Sequence, residues 1–349
     1  MNHFPFVNGS YYPSWKVYKG QAPSTLDLAA TTHVFYAFLR VLPNGDIQHL
    51  DEKADLEYPT DGTRGCLNAL SLLKRDRFPH LKLIVSLGGG SGSGPFAELA
   101  AVPESRARLA QSVRKFIDQH GFDGIDVDWE HPSTPEQGKN YVLLLGELRR
   151  NLPAPNYILT TALPVGEWSL RHINLKTTGQ LVDLINLMCY DFAGPWTKMS
   201  GHQSQLYAPT RPHNDFAKRS VHGAVTYFLS HGVSPRKLVV GIPLYGRQFR
   251  DLDRVGQSFN SYAGDGGILD YKDLPLAGSQ EFVDETLGAA YCVSKDAGFI
   301  TYDNPSTVAA KAQYVKMHKL GGLFYWTGTA DAPPGARSLV NIGCKALIP

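Results

Sequence analysis

The stretch Phe122-Asp123-Gly124-Ile125-Asp126-Val127-Asp128-Trp129-Glu130 decides how the rest of the chain is read. From Ile125 to Glu130 it alternates strictly between apolar and acidic residues. Successive side chains of a β-strand point to opposite faces. The pattern therefore predicts a strand with Ile125, Val127 and Trp129 on one face and Asp126, Asp128 and Glu130 on the other. Next-but-one residues of a strand lie about 7 Å apart, and like charges that close raise one another's pKa. Three carboxyls in a row are poor for stability and point to chemistry. Glu130 ends the row beside Asp128, where it keeps a proton near neutral pH and can act as a general acid. In the commonest glycosidase scheme two carboxyls flank the scissile bond from opposite sides. Acids along one strand flank nothing. The nucleophile comes either from elsewhere in the chain or from the substrate.

Outward from this strand, the 349 residues are 43% hydrophobic, enough to bury one large core. The formal net charge of +2 argues against a dedicated binder of nucleic acid or of an acidic polymer. No apolar run is long enough to span a membrane. The start, Met1-Asn2-His3-Phe4-Pro5, has no charged region followed by an apolar stretch, so no signal peptide is visible. That favours an intracellular location unless the chain is a processed secreted form. Cys66, Cys189, Cys292 and Cys344 lack metal-type spacing. Four reduced thiols are expected, with one bridged pair left open for a secreted form. No metal or organic cofactor is expected. Asn8-Gly9-Ser10 is a lone glycosylation sequon of little weight.

Strands alternate with amphipathic helices along the whole chain, which implies a parallel sheet with helical crossovers. Strands are expected at 9–15 with its exit loop, 32–39, 81–87, the acidic row, 157–163, 181–190, 237–245 and 322–327. Helices are expected at 66–74, 103–120 closed by Gly121, 137–152, 221–231, 311–320 and from 336. Eight strand–helix units predict an α/β fold of the (β/α)8 TIM barrel type, with a doubly wound open sheet as the runner-up. The barrel is preferred because function-bearing residues cluster at the C-terminal ends of the strands. The run Gly88 to Gly94 is glycine-rich but makes no dinucleotide or Walker loop. About 75 residues separate the seventh strand from the eighth, far more than a helix and two loops need. The surplus reads as a small α+β insertion at 249–303, with the barrel at 1–248 and 304–349.

Asp123, Asp126, Asp128 and Glu130 match the DxxDxDxE signature, and the chain resembles glycoside hydrolase family 18, the chitinases and their relatives. The strand ends fit the same likeness. Tyr36-Ala37-Phe38 resembles the second-strand motif, Ser86-Leu87-Gly88-Gly89 the SxGG motif and Met188-Cys189-Tyr190-Asp191 the MxYD motif. Tyr245-Gly246-Arg247 resembles the seventh-strand exit, and Trp326 the eighth-strand tryptophan. There is one departure: many relatives carry tryptophan where this chain has Gly90. A particular likeness is to fungal members of the bacterial-type branch, whose inserted domain walls the substrate groove.

The resemblance implies an endo-acting, retaining chitinase that uses the substrate's 2-acetamido oxygen as nucleophile. It implies Glu130 as acid and base, Asp128 as the group that orients the acetamido, Asp126 as its tuner and Tyr190 as a donor to the acetamido oxygen. Trp326 would be the apolar floor beneath the reacting sugar. Asp191, Tyr245 and Arg247 would bind hydroxyl or acetyl groups, with Phe38, Met188 and Tyr12 in the substrate-facing set. Asp123, Ser86, Gly88 and Gly89 would be structural. The implied partner is chitin or a chitooligosaccharide, with no nucleic acid or membrane and a monomeric chain. A lectin on the same scaffold and an endo-β-N-acetylglucosaminidase acting on N-glycans are the alternatives.

Overall fold

The computed structural model describes residues 5–259 and 264–348. The first four residues, on which the reading of the leader partly rests, lie outside the described residues. Eight parallel strands close on themselves: β1 Val7–Pro13, β2 His33–Val41, β3 Lys82–Gly88, β4 Gly124–Asp128, β5 Ile158–Pro164, β6 Leu184–Met188, β7 Leu238–Pro243 and β8 Gly322–Trp326. Each pairs with its sequence neighbour, and β8 pairs with β1, so the ring has no open edge. This is the (β/α)8 barrel, not the open sheet.

Most of the helices that cover it start and stop within two or three residues of the expected bounds, but the one expected at 311–320 spans Pro305–Met317, and Leu175–Leu181 was not expected. α1 spans Cys66–Asp76 and α2 Pro103–His120. α2 has proline in its first turn and ends on Gly121 at φ 69°, a left-handed conformation that glycine adopts without cost. α3, Pro135–Asn151, starts at Thr134, whose side chain accepts from the Gln137 amide. α4 is Leu175–Leu181, α5 Val221–Ser230 behind the Ser220 cap, α6 Pro305–Met317 behind an Asn304–Thr307 capping box, and α7 Leu339–Leu347.

Two cores result. The larger lies between strands and helices and takes Ile125, Val127 and Trp129 from β4 and its exit. Trp129 stacks on Phe96, ring centroids 5.5 Å apart. The smaller fills the barrel with Tyr11, Phe35, Phe38, Ile84 and Phe324, with Met188, Tyr190 and Trp326 packed on it. The interior is therefore aromatic toward β1, β2 and β8, and acidic at β4.

A five-stranded sheet lies between β7 and β8 in sequence. Its strands are Tyr245–Phe249, Ile268–Asp270, Gln280–Asp284, Ala289–Ser294 and Gly298–Tyr302, antiparallel where they pair. The sheet thus begins at Tyr245, ahead of the expected boundary at 249. At its far end Asp303 forms a fully buried ion pair with Lys311 of α6, Nζ to Oδ2 2.6 Å. Lys311 also donates to the Ser204 hydroxyl at 2.8 Å, tying the inserted sheet and the loop after β6 to the barrel.

All four cysteines are buried and free. Cys189 faces the helices as strand alternation requires, and burial pushes its thiol up to about 12, so it is unreactive. Asn8 of the sequon is buried, donating to the Ala30 and Val340 carbonyls and accepting from Tyr325, so the folded chain offers it to no glycosyl donor. Among the described residues no helix is long and apolar enough to cross a membrane.

Candidate active site

β4 delivers the acidic row to the centre of the barrel. Asp126 is fully buried and held by three hydroxyl donors. Tyr11 of β1 donates to Oδ2 at 2.8 Å, Ser86 of β3 to Oδ2 at 2.7 Å and Thr160 of β5 to Oδ1 at 2.7 Å. Burial raises its pKa and the three donors pull it back. Asp128, one step nearer the mouth, has no such cradle: its Oδ1 is buried without a hydrogen-bond partner among the described residues. Burial first, then the charges of Glu130 and Asp126, push its pKa well above the usual carboxylate range. An unpaired acceptor in that position is costly.

Glu130 lies two residues past the end of β4 and is half-buried. Burial, then the charge of Asp191, raises its pKa, which favours the protonated form an acid needs. The glycine-rich run positions it. The Glu130 amide donates to Ser93 Oγ at 2.8 Å, and that hydroxyl in turn reaches the carbonyls of Gly89 and Asp128. A side chain at Gly88 would sit 2.4 Å from the Asp128 carbonyl oxygen, and one at Gly89 2.6 Å from the Phe38 ring. Both glycines also have positive φ, 106° and 75°. Glycine there is what lets the β3 exit close against the acid strand. A Cβ at Gly90 would stand 3.6 Å from Glu130 Oε1, so glycine leaves that flank of the acid open.

Aromatic rings wall the opposite side. Trp326 meets Tyr11 edge-on at 5.3 Å and Phe38 at 5.8 Å. Tyr190 lies edge-on to Tyr245 and to Phe324, and its hydroxyl makes no hydrogen bond among the described residues. Burial and neighbouring acids raise its pKa far enough to keep it a proton donor. Asp191, at φ 59°, receives Tyr245 Oη at 2.8 Å and Arg247 Nε at 2.9 Å, both on Oδ1. Arg247 is buried between the rings of Tyr245 and Trp196. Met188 packs at the edge of the barrel core beside these groups.

One expected site residue does not belong. Tyr12 faces the helices, is fully buried, and donates its hydroxyl to the Gln21 carbonyl. Its neighbour Tyr11 points inward instead and holds Asp126. The reason is phase: odd-numbered residues of β1 face the barrel axis. Asn186 of β6, also missed, donates to the Tyr11 hydroxyl at 2.9 Å and so aims its proton at Asp126. Ser93 and Thr160 were missed as well. Their only sequence signal is position, inside the glycine loop for one and level with Asp126 across β4–β5 for the other. Asp123 sits at the opposite end of β4, where its carboxylate accepts from Lys74 and from the Leu83 amide, remote from the row.

A closed (β/α)8 barrel with a row of buried carboxyls at the C-terminal end of one strand, faced by aromatic rings, has the architecture of a carboxylate-based glycoside hydrolase. The chain belongs to glycosyl hydrolases family 18, whose model matches residues 8–331. Chitinase 1 of Aphanocladium album is 34% identical to it across 98% of this chain and 85% of that protein. Endochitinase 1 of Metarhizium robertsii is also 34% identical, with the same coverage. Among solved structures, the chitinase ChiA74 of Bacillus thuringiensis superposes with a TM-score of 0.89 at 27% identity, covering 99% of this chain and 70% of that one.

Proposed function

We propose that this protein is a chitinase that hydrolyses β-1,4 links between N-acetylglucosamine units with retention, the substrate's own acetamido group acting as nucleophile. The observation that carries this is the contrast along the row: Asp126 is locked by three donors, while Asp128 has a buried oxygen with nothing to accept. An acetamido N–H supplies the missing donor. The nearby Asp191 is committed to Tyr245 and Arg247 through Oδ1, which makes it a poor nucleophile.

In the first step Glu130 gives its proton to the glycosidic oxygen as the C–O bond breaks. The acetamido carbonyl oxygen attacks the anomeric carbon from the other face. Asp128 accepts from the amide N–H and stabilises the cationic ring that forms. Tyr190, whose hydroxyl is uncommitted, donates to the acetamido oxygen and holds it in line. In the second step Glu130 takes a proton from water, which opens the ring at the same carbon. Two inversions give net retention.

Trp326, Phe38 and Tyr11 offer the apolar floor, and Asp191 with Arg247 offers polar partners to hydroxyl or acetyl groups. Tyr245 and Arg247 come from the first strand of the inserted sheet, which supports that sheet as a wall of the groove. Glu130 separates this reading from a lectin, which has no use for an acid. Chitotetraose and a high-mannose glycopeptide offered to the purified protein test it. Cleavage of the first alone is expected, and cleavage of the glycopeptide alone would replace chitin with N-glycans as the substrate.

A further inference from the structure

A pocket of about 190 Å³ lies where the loop that follows β6 meets the inserted sheet. None of the residues placed at the acid site lines it. Phe192 and Ala193, which follow Asp191 directly, form one wall, and Phe216, Val255 and Leu287 complete an apolar lining. A void of about 150 Å³ takes a benzene ring. This pocket therefore has room for a single ring with small substituents.

Two buried polar groups on its walls lack a partner. His202 is 5% exposed and packs its imidazole on Tyr291 and Phe299. Burial pushes its pKa down to about 4, so the ring is neutral. Its Nδ1 lies 3.3 Å from the Thr301 hydroxyl, which donates to the Ala290 carbonyl, so Nδ1 carries the proton. That leaves Nε2 as an acceptor with no donor among the described residues. Gln205 gives its side-chain N–H groups to the Ala217 and Arg219 carbonyls, and its Oε1 accepts from nothing among the described residues. Arg211, which is exposed, marks the mouth and makes no ion pair among the described residues. No carboxylate lines the pocket. Apolar walls suit a flat ring, buried acceptors suit an O–H on it, and a guanidinium with no acid beside it suits an anionic end.

We propose that this pocket is an effector site, separate from the substrate groove, for a small hydroxyaryl carboxylate. The ring lies against Phe192 and Phe216, the hydroxyl donates to His202 Nε2, and the carboxylate meets Arg211. The loop behind which it binds carries Asp191 and also Trp196, which stacks on Arg247. A ligand that fixes Phe192 and Ala193 leaves the substrate less of that loop to order.

The test uses the full-length protein and para-hydroxyphenylacetate as probe, with binding read by calorimetry. Arg211→Ala is expected to weaken the probe about tenfold. Phenylacetate, which lacks the hydroxyl, should bind the unaltered protein about fivefold more weakly. Ala217→Leu fills the pocket, so it should abolish binding and leave the thermal midpoint and the hydrolysis of chitotetraose unchanged. Saturating probe should lower KM for chitotetraose about threefold in the unaltered protein and leave it as it is in Ala217→Leu. No binding at millimolar probe would overturn the proposal. So would an affinity indifferent to Arg211 or to the hydroxyl, binding that survives Ala217→Leu, or displacement of the probe by chitotriose in Glu130→Gln. An unmoved KM would overturn the effector role. That role rests on the chitinase reading and the binding does not, so a protein that binds the probe and hydrolyses no chitotetraose would overturn that reading and the effector role with it.

Discussion

The two ends of one acidic row behave as different materials. Asp126 and Asp128 share a strand face, a barrel and near-total burial. Asp126 spends its lone pairs on three hydroxyls, from its two neighbouring strands and from β1 across the barrel, and its position is over-determined. Asp128 and Glu130 keep free acceptors in a site open to ligand. Burial alone therefore does not mark the chemistry. A buried carboxylate with a full set of donors is scaffold for the charge beside it, and one with an empty set is waiting for substrate.

The largest effect should come at the open end. Glu130→Gln keeps the shape and removes the transferable proton, so hydrolysis of chitooligosaccharides should fall about 10³–10⁴-fold. Binding and thermal midpoint should be retained. Activity within tenfold of wild type would remove Glu130 from the acid role.

Tyr11→Phe attacks the closed end. It deletes one donor to Asp126 and leaves Asn186 without its acceptor. A hydrogen bond to a charged group contributes about 1.5–3 kcal/mol. The expected result is a drop in kcat of about tenfold with KM little changed. Tyr12→Phe should leave kcat as it is, since that hydroxyl serves the outer layer. Equal losses in the two variants would erase the distinction between inward and outward tyrosines.

Asp191→Asn gives the smallest change and tests the electrostatics. The charge of Asp191 helps to raise Glu130. Removing that charge lowers the Glu130 pKa, so the acid loses its proton earlier as pH rises. The alkaline limb of the kcat/KM profile should move to lower pH. An unmoved limb, or one displaced upward, would show that Asp191 does not set the ionisation of Glu130.

The same contrast explains what was legible in the sequence. At β4 the apolar and acidic residues differ so sharply that period and phase are both readable, and Asp126, Asp128 and Glu130 fell where expected. β1 carries aromatic rings on both faces, so its period is visible but its phase is not, and the sequence points to Tyr12 where the structure turns Tyr11 inward. At β2 plain alternation would send Phe38 outward with Tyr36. The register between β2 and β3 shifts between Tyr36 and Leu39, and that irregularity turns Phe38 into the barrel. Tyr245-Gly246-Arg247 reads as the end of a barrel strand, yet its backbone pairs antiparallel with Ile268–Asp270. Which neighbour a short strand pairs with is a tertiary choice that local pattern does not carry. Ser93 and Asn186 act through hydrogen bonds to Glu130 and Tyr11, and nothing in their local sequence announces partners so far along the chain.

The central claim is that the substrate carries its own nucleophile into the gap beside Asp128. The direct measurement is turnover of two matched aryl chitobiosides, one with the reacting sugar acetylated and the other with a free amine at that position. The account predicts rapid release of the aryl group from the first. It predicts at least about a 10³-fold slower release from the second, which has no carbonyl oxygen to attack and no amide N–H for Asp128. Comparable rates on the two would contradict it and move the search to a protein nucleophile, with Asp191 first.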